Sequence, residues 1–159
     1  MTLYFVMSRH NDARPVIKYF ELKKDVAPCP FPIFRAQDVV LCISGHGRCN
    51  TAAATAYLLT RWGRDGLFVH LEPWPGKCDV VLYPNIIVDL KEMVYQEMLY
   101  KPPFFMEEVF IEDVEGSYAF TTASHFLPLK QIIILKTPDS VDERTLSWLE
   151  TICANLQFF

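Results

Sequence analysis

The chain alternates short, unbroken apolar runs with segments of helical periodicity, and that alternation limits the possible folds more than any other feature. Residues 3–7, 39–43, 67–71 and 131–135 read as strands that are apolar on both faces apart from His70 and Gln131. A strand that is apolar on both sides must be covered on both sides, which is the mark of a parallel sheet between helical layers. Between these strands, residues 13–22, 51–62 and 115–126 carry apolar positions at helical spacing. A final helix follows Ser140-Val141-Asp142-Glu143, a Ser-x-x-Glu capping box. The expected fold is therefore α/β: three layers, α/β/α, on a mostly parallel central sheet, with the 159 residues forming one domain.

Smaller segments are read as follows. Pro28, Pro30 and Pro32 forbid regular helix, and residues 33–35 form an edge strand. Asn50 is the expected N-cap of the second helix, and Gly63 and Gly66 flank its end. Residues 72–77 form a loop. Pro84 separates two short strands, 80–83 and 85–88. Residues 93–100 are a short helix or an irregular arm, stopped by Pro102-Pro103. Residues 104–111 are apolar and fit either element.

Composition removes several function classes. Apolar residues make up 51% of the chain, so it folds rather than staying disordered; a net charge of −4 with no basic run argues against nucleic-acid binding. The five cysteines are odd in number and form no Cys-x-x-Cys pair, which fits a reduced, cytoplasmic protein. No run reaches the roughly 18–20 apolar residues that cross a bilayer, and the apolar start is too short for a signal peptide. The four histidines show no metal-ligand spacing with Cys or acidic residues, so neither a metal nor a cofactor is expected.

Two carboxylates stand at strand-to-helix junctions. Glu115 opens a helix in Asp113-Val114-Glu115-Gly116, and Asp139 follows the apolar run Ile132-Ile133-Ile134-Leu135. In open α/β sheets ligands bind beyond the carboxyl ends of the strands, where the turn at Gly45, the segment at Glu72 and Asp139 all fall. Gly45-His46-Gly47-Arg48 could offer backbone N–H groups to an anion at a helix start, with Arg48 adding charge. A tight strand-to-helix turn needs glycine in any case, so the structural role of Gly45 and Gly47 is favoured. Asn50 stands where a dinucleotide fingerprint needs its third glycine, which weakens that reading of the turn.

The ordered set of fragments resembles the purine and uridine phosphorylase superfamily, which includes the methylthioadenosine and adenosylhomocysteine nucleosidases. Val6-Met7 with Asp12-Ala13-Arg14-Pro15 is similar to its first strand and the acid that follows. Ser44-Gly45-His46-Gly47-Arg48-Cys49-Asn50-Thr51-Ala52-Ala53 is similar to its Gly-x-Gly-Lys-x-Asn-Ala-Ala turn, and Met98–Phe104 to a mid-chain element. Asp113-Val114-Glu115-Gly116 matches its Asp-Met-Glu-Gly motif, and Leu135-Lys136-Thr137-Pro138-Asp139-Ser140 resembles the segment with its catalytic aspartate.

The resemblance implies cleavage of the N-glycosidic bond of a purine nucleoside or thio-nucleoside. Glu115 would bind ribose, Asp139 would protonate the base, and Asp12 would assist water. Phe104, Phe105 and Val114 would contact the base. The implied partners are a small nucleoside, with phosphate as the competing nucleophile, and further copies of the chain in a homo-oligomer, with Phe158-Phe159 a candidate interface. Hydrolysis is favoured over phosphorolysis, because no glycine precedes Gly45 and no basic phosphate ligands stand out. The chain departs from the family in a trimmed central segment, with His70-Leu71-Glu72-Pro73-Trp74-Pro75 in place of a glycine-rich loop. That departure supports the alternative expectation, a catalytically degenerate nucleoside-binding or scaffold protein on the same fold.

Overall fold

The computed structural model describes residues 1–63, 65–73, 80–83, 86–89, 94–97, 114–128, 131–137 and 141–155. Its elements in chain order are β1 (Thr2–Met7), α1 (His10–Tyr19), β2 (Lys23–Lys24), β3 (Ile33–Ala36), β4 (Val39–Ile43), α2 (Arg48–Trp62) and β5 (Gly66–Pro73). Then come β6 (Val80–Tyr83), β7 (Ile86–Asp89), β8 (Val94–Glu97), α3 (Val114–Ser124), β9 (Ile132–Thr137) and α4 (Glu143–Asn155).

The nine strands form one sheet in the order β2-β3-β4-β1-β5-β9-β6-β7-β8. Its centre, β4-β1-β5-β9, is parallel throughout, with Val6 opposite Cys42 on one side and His70 on the other. Antiparallel strands extend both flanks. The central strands are the apolar runs of the sequence, because only they have both faces covered. Residues such as Phe5, Leu41 and Val69 face α1 and α4, where they meet Val16, Leu146 and Leu149. The alternate residues, including Val6, Cys42 and Phe68, face α2 and α3, where they meet Ala54, Leu58 and Ala119. The three-layer α/β/α expectation holds. Burial also pushes the Cys42 thiol up to about 12, so that side chain acts as a small hydrophobe.

Several boundaries differ from the sequence reading for local reasons. Helix α1 starts at His10, where the Ala13 N–H reaches the Arg9 carbonyl. It ends at Tyr19, because Glu21 turns left-handed (φ 52) and the Leu22 N–H folds back onto the Ile17 carbonyl in a Schellman-type stop. Strand β3 is not the edge; the two-residue β2 lies outside it. Glu72 and Pro73 belong to β5 rather than to a loop. Beyond His70 that strand pairs only with β9, so a proline without an N–H fits there. Residues 94–97 form a strand, not a helix, through pairing with β7. The N-cap of α4 is Asp142, whose Oδ1 accepts the Thr145 N–H at 2.8 Å; Ser140 lies outside the described residues.

The start of β5 is a point of close approach. A Cβ on Gly66 (φ 154) would stand 1.8 Å from the Thr2 carbonyl oxygen, a backbone atom of the neighbouring strand. Gly66→Ala must therefore push β1 and β5 apart, and it is expected to destabilise the fold by roughly 1–3 kcal/mol. Chemical denaturation of the purified variant measures this; an unchanged midpoint would contradict the register given for β1 and β5.

Candidate active site

The order of crossings sets the location of the site. The chain leaves β1 for β4 by way of α1, then crosses back past β1 to β5 by way of α2, and these helices lie on opposite faces of the sheet. A crevice opens at such a reversal, beyond the carboxyl ends of the strands. Three segments meet there: the turn after β4, the last residues of β5, and the start of α3.

The turn after β4 uses two glycines with positive φ, Gly45 at 77° and Gly47 at 98°. Gly47, not Asn50, is the N-cap of α2, and its extended, positive-φ backbone is one that only glycine adopts freely. Asn50 sits inside the first turn and donates from Nδ2 to the His46 carbonyl at 2.7 Å, which braces the turn from within the helix. Ser44 adds a second brace, with its N–H bonded to the Met7 carbonyl at 2.9 Å across to β1.

Glu115 lies in the first turn of α3, and its Oε1 accepts the Gly47 N–H at 2.6 Å. The first turn of α2 holds no acid of its own, so Glu115 supplies the negative charge that the helix start favours. The expected anion-binding turn thus presents an N–H to an anion, and that anion is this chain's own carboxylate. Arg48 is turned aside: its guanidinium lies over the Tyr118 ring at 5.9 Å. The other oxygen, Glu115 Oε2, is buried with no hydrogen-bond partner among the described residues.

Beside it stand His70 and Glu72, two residues apart on β5 and so on one face of the strand. His70 is fully buried, and neither ring nitrogen has a hydrogen-bond partner among the described residues. Its Nε2 lies 3.6 Å from Glu72 Oε2, beyond ordinary hydrogen-bond length. One ligand atom from each of His70, Glu72 and Glu115 falls within 4.8 Å of the others.

Of the residues singled out in the sequence, Gly45, Gly47, Arg48 and Glu115 come together here. Val114 is the first residue of α3, next to Glu115. Asp12 lies in the first turn of α1, where its carboxylate pairs with Arg9 Nε at 2.9 Å. Asp139, Phe104 and Phe105 lie outside the described residues. Sequence reasoning missed His70 and Glu72. The available signal was a histidine and an acid at i, i+2 in an otherwise apolar strand, a spacing that places both on one side.

No protein-family model and no curated protein matches the chain in sequence. Solved structures do match it in shape along nearly its whole length. A 5'-methylthioadenosine nucleosidase from Arabidopsis thaliana in apo form superposes with a TM-score of 0.53 at 14% identity, over 99% of this chain and 91% of that one. An MTA/SAH nucleosidase gives 0.54 at 16% identity, over 99% and 91%. Futalosine hydrolase of Helicobacter pylori gives 0.52 at 9% identity, over 99% and 95%. The chain has the α/β fold of these solved structures.

A Cβ on Gly47 meets nothing within 4 Å, so Gly47→Ala tests its backbone conformation alone. The variant is expected to lose roughly 1–3 kcal/mol of stability, read as a lower urea midpoint with unchanged slope. A midpoint equal to that of the parent chain would show that the turn relaxes at no cost, and that the positive φ does not hold the N–H against Glu115.

Proposed function

We propose that the chain is a nucleosidase that hydrolyses the N-glycosidic bond of a purine nucleoside or thio-substituted nucleoside. One observation carries the proposal. Glu115 has one oxygen fixed by the Gly47 N–H and the other buried with no described partner, at the carboxyl ends of parallel strands in a nucleosidase fold. A carboxylate held in this way is an acceptor awaiting donors, and the vicinal hydroxyls of a ribose are donors of the right number and spacing.

Cleavage of a glycosidic bond passes through an oxocarbenium-like sugar, which a nearby anion stabilises. Glu115 would hold the sugar and serve that charge. Asp139, which follows the sequence of β9 by two residues, would give its proton to the departing base. Asp12 would orient water once substrate draws it from Arg9. Val114, Phe104 and Phe105 would line the base, and a second copy of the chain would complete the assembly. The stretch His70-Leu71-Glu72-Pro73-Trp74-Pro75, standing where the family has a glycine-rich loop, favours the competing reading, a nucleoside-binding protein without turnover.

Release of free base from methylthioadenosine, adenosylhomocysteine and unmodified purine nucleosides, followed by chromatography, tests the reading. Glu115→Gln keeps an acceptor for Gly47 but places a donor where the sugar must donate. It is expected to lower kcat/KM roughly 10- to 100-fold. Asp139→Asn is expected to lower kcat by roughly 10²–10⁴-fold while ligand still binds. Saturable binding with no base released from any of these nucleosides would favour the binding protein instead. Undiminished turnover in Asp139→Asn would reject the acid role.

A further inference from the structure

The described residues offer other candidates: the exposed Arg61 guanidinium over Trp62 and bonded to Tyr57, the exposed Cys49 in the first turn of α2, and the Tyr19–Glu150 link between α1 and α4. The Arg61 and Tyr19 contacts are surface packing and a helix contact, and an exposed cysteine alone defines no site. The group at the end of β5 is not explained in that way.

We infer that His70, Glu72 and Glu115 form a binding site for a divalent transition-metal ion. The geometry is that of ligands around a common centre. Bonds of roughly 2.0–2.2 Å from imidazole nitrogen and carboxylate oxygen to such an ion leave neighbouring ligand atoms about 3.3–3.6 Å apart. The 3.6 Å between His70 Nε2 and Glu72 Oε2 is too long for a hydrogen bond and right for two ligands of one ion. All three ligand atoms lie within 4.8 Å, so closing around an ion needs only small side-chain shifts.

Burial supplies the second argument. His70 is wholly inside the protein, and neither of its nitrogens nor the buried Glu115 Oε2 has a hydrogen-bond partner among the described residues. Buried polar atoms without partners cost roughly 1–3 kcal/mol each, and proteins keep such groups where something else satisfies them. The Glu115 carboxylate also calls for positive charge. Among the described residues Glu115 makes no ion pair, and the nearby Arg48 is turned onto Tyr118. An ion would satisfy the imidazole and the orphaned Glu115 oxygen together.

The donor set selects the ion class. One imidazole and two carboxylates suit zinc, cobalt, manganese or ferrous iron better than calcium or magnesium, which favour oxygen alone. Three protein ligands leave coordination positions open to water or to a hydroxyl of a bound molecule, the arrangement of reactive rather than purely structural metal sites. Glu115 holds its backbone partner through Oε1 and would meet the ion through Oε2. The inference rests on these three side chains and not on the nucleosidase reading.

The test is titration of the metal-free full chain with Co²⁺ in the absence of any nucleoside, followed by visible absorption. The expected result is a saturable d–d spectrum at one ion per chain, displaced by Zn²⁺ and free of thiolate charge-transfer bands. Glu72→Gln, at a partly exposed position, is expected to fold as the parent does and to weaken binding at least about tenfold; His70→Gln should do the same. No saturable spectrum up to millimolar ion, thiolate bands from cysteine ligation, or equal affinity in Glu72→Gln would each overturn the inference. Base release measured separately in chelator-treated and metal-loaded chain keeps the two readings apart. Co²⁺ binding without base release defeats only the nucleosidase proposal. Base release with no Co²⁺ binding defeats only the metal site.

Discussion

Everything in this molecule follows from four parallel strands that are apolar on both faces. Strands β4, β1, β5 and β9 cannot leave either side to water, so α1 and α4 cover one face and α2 and α3 the other. Because the strands run the same way, their carboxyl ends gather at one edge of the sheet. The turn into α2 starts at that edge, and the contact between Gly47 and Glu115 brings the start of α3 to the same place. Burial of apolar surface thus delivers two positive helix ends and the tail of β5 to a single crevice.

Glu115 is where the fold and the site become one feature. Its Oε1 completes the start of α2, a structural duty, while Oε2 is buried without a hydrogen-bond partner among the described residues, and one of its oxygens lies within 4.8 Å of ligand atoms of His70 and Glu72. A side chain bound on one side cannot swing freely, so the free oxygen is presented in a fixed direction. Pre-positioned acceptors of this kind favour charge that develops in a reaction more than charge already present. The orphaned atoms are a local cost, of the sort stable folds tolerate at the places where they act.

The sequence showed the central strands plainly, because residues 3–7, 39–43, 67–71 and 131–135 are long and apolar enough to leave no other choice. It also placed Glu115 at a helix start and the Gly45 turn at a strand end. It misjudged features whose reason lies elsewhere in the chain. Residues 94–97 carry no strong local preference and become a strand through pairing with β7. Asn50 looks like an N-cap, but the backbone freedom of Gly47 lets the helix start three residues sooner than residue 51. Asp142 caps α4, because the path of the chain turns its carboxylate onto the Thr145 N–H.

The sequence by itself determined a covered parallel sheet, the direction of its strands, and therefore the edge at which chemistry would collect, since hydrophobic periodicity is a local property. Only the tertiary structure decided the company Glu115 keeps. His70 and Glu72 are more than forty residues away along the chain, and only α3 packing across the end of β5 brings their polar atoms within reach of one another. Proximity of that kind comes from how helices settle on a sheet, and no short stretch of sequence encodes it.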